Sequence, residues 1–161
     1  MFQKQPVSSD PQGTDQNAQS YQEQIADLES KAVENPGSVD ILIELAGAYI
    51  MQGNLEQAFK TYEQVLAIDP DNTQVRYDMA YFYYLSNNSD QAIAQLKEII
   101  NIDPNHKQCR YLYGIILGNS KNDYAAGIQE LEKFIDLTKE GINAEKARQK
   151  IEEWQALLEQ K

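Results

Sequence analysis

The feature that most constrains this chain is a period of 34 residues. Pro36, Pro70 and Pro104 follow one another at that offset, and it also relates Asp69 to Asp103, Ala46 to Ala80, Tyr49 to Tyr83 and Ala58 to Ala92. The segments LEQAFKTYEQVLAIDP (55–70) and SDQAIAQLKEIINIDP (89–104) align without a gap, and a third copy, YAAGIQELEKFIDLTK (124–139), follows after one extra residue near Lys121. Repeats of this length are single supersecondary units that bury their apolar faces against their neighbours, so the chain is expected to stack its units in a row.

Within a unit the apolar positions recur at helical spacing. Leu42, Leu45, Ala46 and Tyr49 form one stripe, Ala58, Tyr62, Val65 and Leu66 form a second, and Gly53-Asn54 breaks the chain between them. Pro70 ends the pair. Ser38, Asn72 and Asn105 stand where side chains are wanted to accept from the unpaired amides of a helix start. Small residues at Ala46, Ala80 and Gly114, and at Ala58, Ala92 and Gly127, fall where the two helices of a pair must approach closely.

The spacing Leu42, Leu45, Ala46, Tyr49, Ala58, Tyr62, Pro70, repeated as Arg76, Met79, Ala80, Tyr83, Ala92, Leu96, Pro104, resembles the tetratricopeptide repeat. The resemblance covers residues 39–72, 73–106 and 107–141, the third unit being less regular, with Leu117 in place of the tyrosine and Lys139 where proline is expected. It implies an all-α fold, a right-handed superhelix of antiparallel helix pairs, or α-α solenoid. The flanks read as caps. A helix over 21–35, with Ile25, Leu28 and Val33, is expected to pack on the first repeat. Another over 143–160 carries Ala144, Ala147, Ile151, Trp154 and Leu158 as one apolar stripe on a charged helix and is expected to close the stack. The domain thus spans 21–161. Residues 1–20 are polar, with only Met1, Phe2 and Val7 as sizeable apolar groups, and read as a disordered tail or linker.

The same resemblance implies that the first helix of each repeat lines an inner groove where ligands bind. Carried over residue by residue, the groove comprises Asp40, Ile43, Gly47, Ile50 and Met51 in the first repeat and Gln74, Tyr77, Tyr81, Tyr84 and Leu85 in the second. The third supplies Gln108, Tyr111, Ile115, Gly118 and Asn119. Relatives that clamp the C-terminal carboxylates of heat-shock chaperones place Lys, Asn and Arg in the groove, whereas the matching positions here are Ile43, Gly47, Tyr77, Tyr81 and Leu85. Tyrosine offers large amphipathic contact area at low conformational cost, so the expected ligand is a protein or peptide segment with apolar or aromatic anchors. The expected role is that of an interaction scaffold or adaptor. The competing role is a self-associating structural or assembly scaffold, a homo-oligomer using the same surface, tethered to a membrane in its full-length form; that surface is alternatively open to the chain's own tail, with Phe2 and Val7 as anchors.

Other classes find little support. A formal net charge of −11, without a cluster of Lys and Arg, argues against nucleic acid or anionic lipid as partner. The apolar runs are far short of the ~20 residues that span a bilayer, so no direct membrane insertion is expected. Cys109 is the single cysteine and His106 the single histidine, which leaves no disulfide and no metal cluster, and neither a cofactor nor a metal is expected. His106 and Cys109 lie three apart at a helix start, where the dipole favours a thiolate, but no third orienting group accompanies them and no catalytic residue or enzyme activity is expected. Carboxylates such as Glu130, Glu132, Asp136, Glu152 and Glu153 read as solvated helix faces, with Lys133, Lys139 and Lys150 in reach for pairing. The compartment expected is cytoplasmic, the alternative being extracytoplasmic with a removed N-terminal anchor. The charge is uneven: residues 1–72 carry −9 and residues 73–161 carry −2, so a basic end of a partner is expected near the first repeat.

Overall fold

The computed structural model describes residues 12–160, which form two compact units that meet in sequence between Pro70 and Asp71. All regular structure among the described residues is helical. In the first unit, α1 (Gln12–Glu34) packs on α2 (Val39–Gln52), which pairs with α3 (Leu55–Ile68). The ends are set by short-range chemistry. The Ser38 hydroxyl accepts from the Ile41 amide, Gly53 closes α2 at φ 83° with its N–H on the carbonyls of Tyr49 and Ile50, and the Asn54 side chain accepts from Gln57 N–H to open α3. A left-handed residue is the commonest way to end a helix, and glycine adopts it without a Cβ penalty. The core gathers Ile25 and Leu28 of α1, Leu45, Ala48 and Tyr49 of α2, and Ala58 of α3. The Tyr49 hydroxyl donates to Glu29, fixing α1 to α2, and burial, with Glu29 beside it, pushes the phenol up to about 12.

Two expectations change in this unit. Helix α1 begins at Gln12 rather than at Tyr21, so part of the stretch read as tail is helical. Once Ile25 and Leu28 anchor the helix, extension by residues such as Gln and Ala needs no new nucleus. Residues 1–11, including Phe2 and Val7, lie outside the described residues. Val33 is 81% exposed rather than packed, because Ile25, Leu28 and Ala32 share the face turned to α2 and Val33 follows one position, about 100°, around the helix.

The second unit holds α4 (Thr73–Leu85), α5 (Ser89–Ile102), α6 (Lys107–Lys121), α7 (Tyr124–Thr138) and α8 (Ile142–Glu159). Successive helices pack in pairs, α4 on α5 and α6 on α7, with α8 laid on α7 and α4 also touching α6. One cluster joins Ala80, Ala92, Leu96, Ile99, Cys109, Leu112 and Ile116, with Tyr83 and Tyr113 packed against it. Another joins Ile128, Leu131, Phe134, Ala147, Ile151 and Trp154. The stripe on α8 is core as expected over Ala144, Ala147, Ile151 and Trp154, while Leu158, in the last turn, is exposed.

The small positions do what their place in the repeat demands. Ala80 and Ala92 are fully buried, and in the third repeat glycines allow closer approach: a Cβ on Gly114 would stand 2.9 Å from Leu131 and 3.0 Å from the Gly127 carbonyl oxygen. Lys139, in the place of the expected proline, takes φ 68°, and the Glu140 amide donates to the Thr138 carbonyl at 2.9 Å, turning the chain tightly into α8.

Three readings of the sequence are corrected here. The cap of α6 is His106, not Asn105: its Nδ1 accepts from the Cys109 amide at 3.2 Å, the residue three positions on, which an acceptor at position 105 is one residue too early to serve. Glu130 is not on a solvated face. It is 8% exposed and bonds Arg110 Nη1 at 2.6 Å, because the hairpin brings the two helices' matching positions together. Gly118 is not a groove position, since it lies beneath the indole of Trp154, where a Cβ would fall 2.2 Å from the ring.

Candidate functional site

Three helices of the second unit present one face each to a single cleft of about 470 Å³. From α4 come Tyr77, Tyr81 and Tyr84, spaced so that they share a face. Helix α6 adds Tyr111, Leu112, Ile115 and Asn119, again at helical spacing. The third wall is α8, through Lys146, Gln149, Lys150 and Glu153.

The tyrosines are held to different degrees. Tyr77 packs on the core and stacks on His106 with ring centres 5.9 Å apart, and burial pushes its phenol up from its ordinary value. Tyr111 tilts against Phe134 at 5.0 Å, and Tyr84 packs on the same cluster as Tyr77. Tyr81 is 44% exposed and touches Phe82 edge-on, so it is the ring most available to a ligand. On the α8 wall, Lys150 pairs with Glu153 at 2.7 Å, whereas Lys146 has no ion-pair partner among the described residues.

Of the residues singled out from sequence, the structure brings Tyr77, Tyr81, Tyr84, Tyr111, Ile115 and Asn119 together in this cleft. Gln74 is exposed on α4 and donates to Asp78 at 2.9 Å. Gln108 lines a separate pocket with Phe134, Thr138 and Ile142. Ile43, Gly47 and Ile50 lie on α2 of the other unit, where Ile50 packs on its core and Gly47 has open space at its Cβ position. The wall supplied by α8 was not anticipated. Its signal was present, because Lys146, Lys150 and Glu153 flank the apolar stripe Ala147, Ile151 and Trp154 around the helix, but the repeat signature has no position for them.

The pair His106 and Cys109 does not form a nucleophile. His106 uses Nδ1 as a helix cap, Cys109 is fully buried with its Sγ on the Leu96 carbonyl at 3.2 Å, and burial pushes the thiol up to about 12, outweighing the nearby Arg110 guanidinium. Among the described residues no group of three His, Cys, Asp or Glu is placed to hold a metal ion, and no helix is long and apolar enough to cross a membrane.

Comparison with known proteins follows the same lines. The family model described as tetratricopeptide repeat matches residues 51–116. No curated protein matches the sequence significantly. Among solved structures, MamA 41-end from Desulfovibrio magneticus RS-1 is 17% identical with a TM-score of 0.67, over 88% of this chain and 88% of that one. A tetratricopeptide repeat protein from Parabacteroides merdae is 16% identical with a TM-score of 0.73, over 88% of this chain and 61% of that one. The first TPR of Spaghetti (RPAP3), bound to the HSP90 peptide SRMEEVD, is 15% identical with a TM-score of 0.65, over 74% of this chain and 92% of that one. At these identities the likeness is one of fold.

Proposed function

We propose that this chain, whose residues 51–116 match the tetratricopeptide repeat model, is a protein-interaction module whose binding surface is the tyrosine-lined cleft of its second unit, taking an apolar or aromatic peptide segment. The observation that carries this reading is the convergence of α4, α6 and α8 on one cleft with a row of phenol rings along it. Rings already fixed by packing lose little freedom when a ligand arrives, so their contact area is available to binding at low entropic cost. A peptide seated in the structural relative from Spaghetti supports peptide capture as the class of activity. Catalysis forms no part of the reading, because the one thiol is buried and its neighbouring histidine is committed to a cap.

The test is selection of peptides from a random displayed library on the full chain, followed by affinity measurement. Tyr81→Ala is expected to abolish or sharply reduce binding without loss of helicity, since the ring is half in solvent. Tyr77→Ala would also remove core packing, so Tyr77→Phe serves as its folded companion. Full affinity in Tyr81→Ala would sink the cleft as the site.

A second reading, self-association, is favoured by a separate observation. In the first unit, exposed Val33 and Ile68 border an apolar pocket with Pro36 and Ala67. Light scattering on the full chain decides it: a monomer at high micromolar concentration removes this reading.

A further inference from the structure

We propose that the segment taken by the cleft carries an Asp or Glu side chain beside its apolar anchor, and that Lys146 of α8 selects for it. The inference rests on the reading of the cleft as a peptide site and specifies the chemistry of its occupant.

The walls differ in kind. Helices α4 and α6 line the cleft mainly with rings and aliphatic groups, while α8 lines it with Lys146, Gln149, Lys150 and Glu153. Lys146 and Lys150 are four positions apart and therefore stand on one face, about 6 Å apart along the axis. Glu153 already neutralises Lys150 at 2.7 Å. The Lys146 ammonium is left with no ion-pair partner among the described residues, at the edge of apolar surface and in a chain whose formal net charge is −11. In so acidic a molecule an uncompensated cation on the wall of a largely apolar cleft is a local inversion of sign.

A carboxylate entering with the peptide gains a charge-assisted hydrogen bond from Lys146, and neighbouring phenol hydroxyls and the Gln149 amide can donate to its remaining lone pairs. A Lys or Arg at the same place meets an unpaired like charge instead, so discrimination comes from both attraction and repulsion. The reach is adequate. The α6 wall from Tyr111 to Asn119 runs about 12 Å, room for about four extended residues, enough for an anchor and its acidic neighbour.

The experiment uses the same displayed library on wild type and on Lys146→Glu, a substitution at an exposed position that leaves the Lys150–Glu153 pair in place. Wild type is expected to select peptides with Asp or Glu adjacent to an aromatic or aliphatic residue, and Lys146→Glu to select Lys or Arg there. With one selected peptide, synthesised as the C-terminal amide so that only side-chain carboxylates remain, the acidic residue replaced by its amide should weaken binding to wild type by about three- to fivefold and leave binding to Lys146→Glu unchanged or improved. No acidic enrichment, or an equal loss on both proteins, overturns the proposal. If Tyr81→Ala still abolishes binding in that case, the cleft stands and only the charge selection fails; if Tyr81→Ala binds as wild type does, the cleft reading itself has failed.

Discussion

At the scale of single residues, Gly118 carries the contact between α8 and α6. With the Trp154 indole where its Cβ would be, Gly118→Ala must displace either a fully buried ring or a helix. The expected cost is about 2 kcal/mol or more, read as a lowered urea midpoint; an unchanged midpoint would contradict the seating of Trp154. Such a contact was illegible in the sequence, where the repeat register placed Gly118 in the groove, because nothing local announces that an indole from two helices further on will cover it. Cys109 gives a second test. Its thiol and the Tyr49 phenol both hold their protons more tightly folded than unfolded, so the stability they confer is present below the ordinary thiol value of 9.0 and is lost as pH rises through about 12. The urea midpoint should therefore fall across that alkaline window, and less so in Cys109→Ala. At neutral pH the native thiol should resist alkylation that proceeds readily once urea unfolds the chain. Rapid native alkylation would contradict its burial.

At the scale of elements, a cross-hairpin arginine recurs with the repeat. Arg76 of α4 donates to Gln95 of α5 at 3.0 Å, and Arg110 of α6, one period later, bonds Glu130 of α7. Arg110 also donates through Nε and Nη2 to the Pro104 carbonyl, tying the turn before α6 to the hairpin it opens. Removing one partner of a buried pair strands the other charge, so Glu130→Ala is expected to cost about 3–5 kcal/mol, whereas Lys133→Ala, which removes only the exposed third member, should cost under about 1 kcal/mol. Equal effects in denaturant titrations would contradict the burial of the pair. The alignment contained this signal: once the extra residue near Lys121 is allowed for, Gln95 aligns with Glu130 as Arg76 does with Arg110. Spacing along one helix hid it, since Glu130 sits among carboxylates that are indeed solvated. The helices themselves were legible because stripes, caps and the proline period are local signals, whereas His106 displaced Asn105 as cap through a one-residue difference in where α6 begins.

At the scale of the whole molecule, the period made the helical-repeat fold readable, and it pointed to the tyrosine row of α4 and to Tyr111 and Ile115 of α6. The third wall of the cleft was not readable, because α8 lies outside the repeats and its charged face resembles any solvated helix until it is seen beside the rings. Charge is distributed unevenly: the excess of acid lies in residues 1–72, whereas the last repeat and α8 are balanced, and on the α8 wall of the cleft Lys150 is paired with Glu153 while Lys146 has no ion-pair partner among the described residues. The central claim is that ligands enter this cleft, and the most direct measurement is amide chemical-shift mapping of the full chain titrated with a library-selected peptide. The predicted result is a continuous set of perturbed amides along Tyr77 to Tyr84, Tyr111 to Asn119 and Lys146 to Glu153; saturable shifts that instead gather around Val33 and Ile68, leaving these three stretches unmoved, would contradict it.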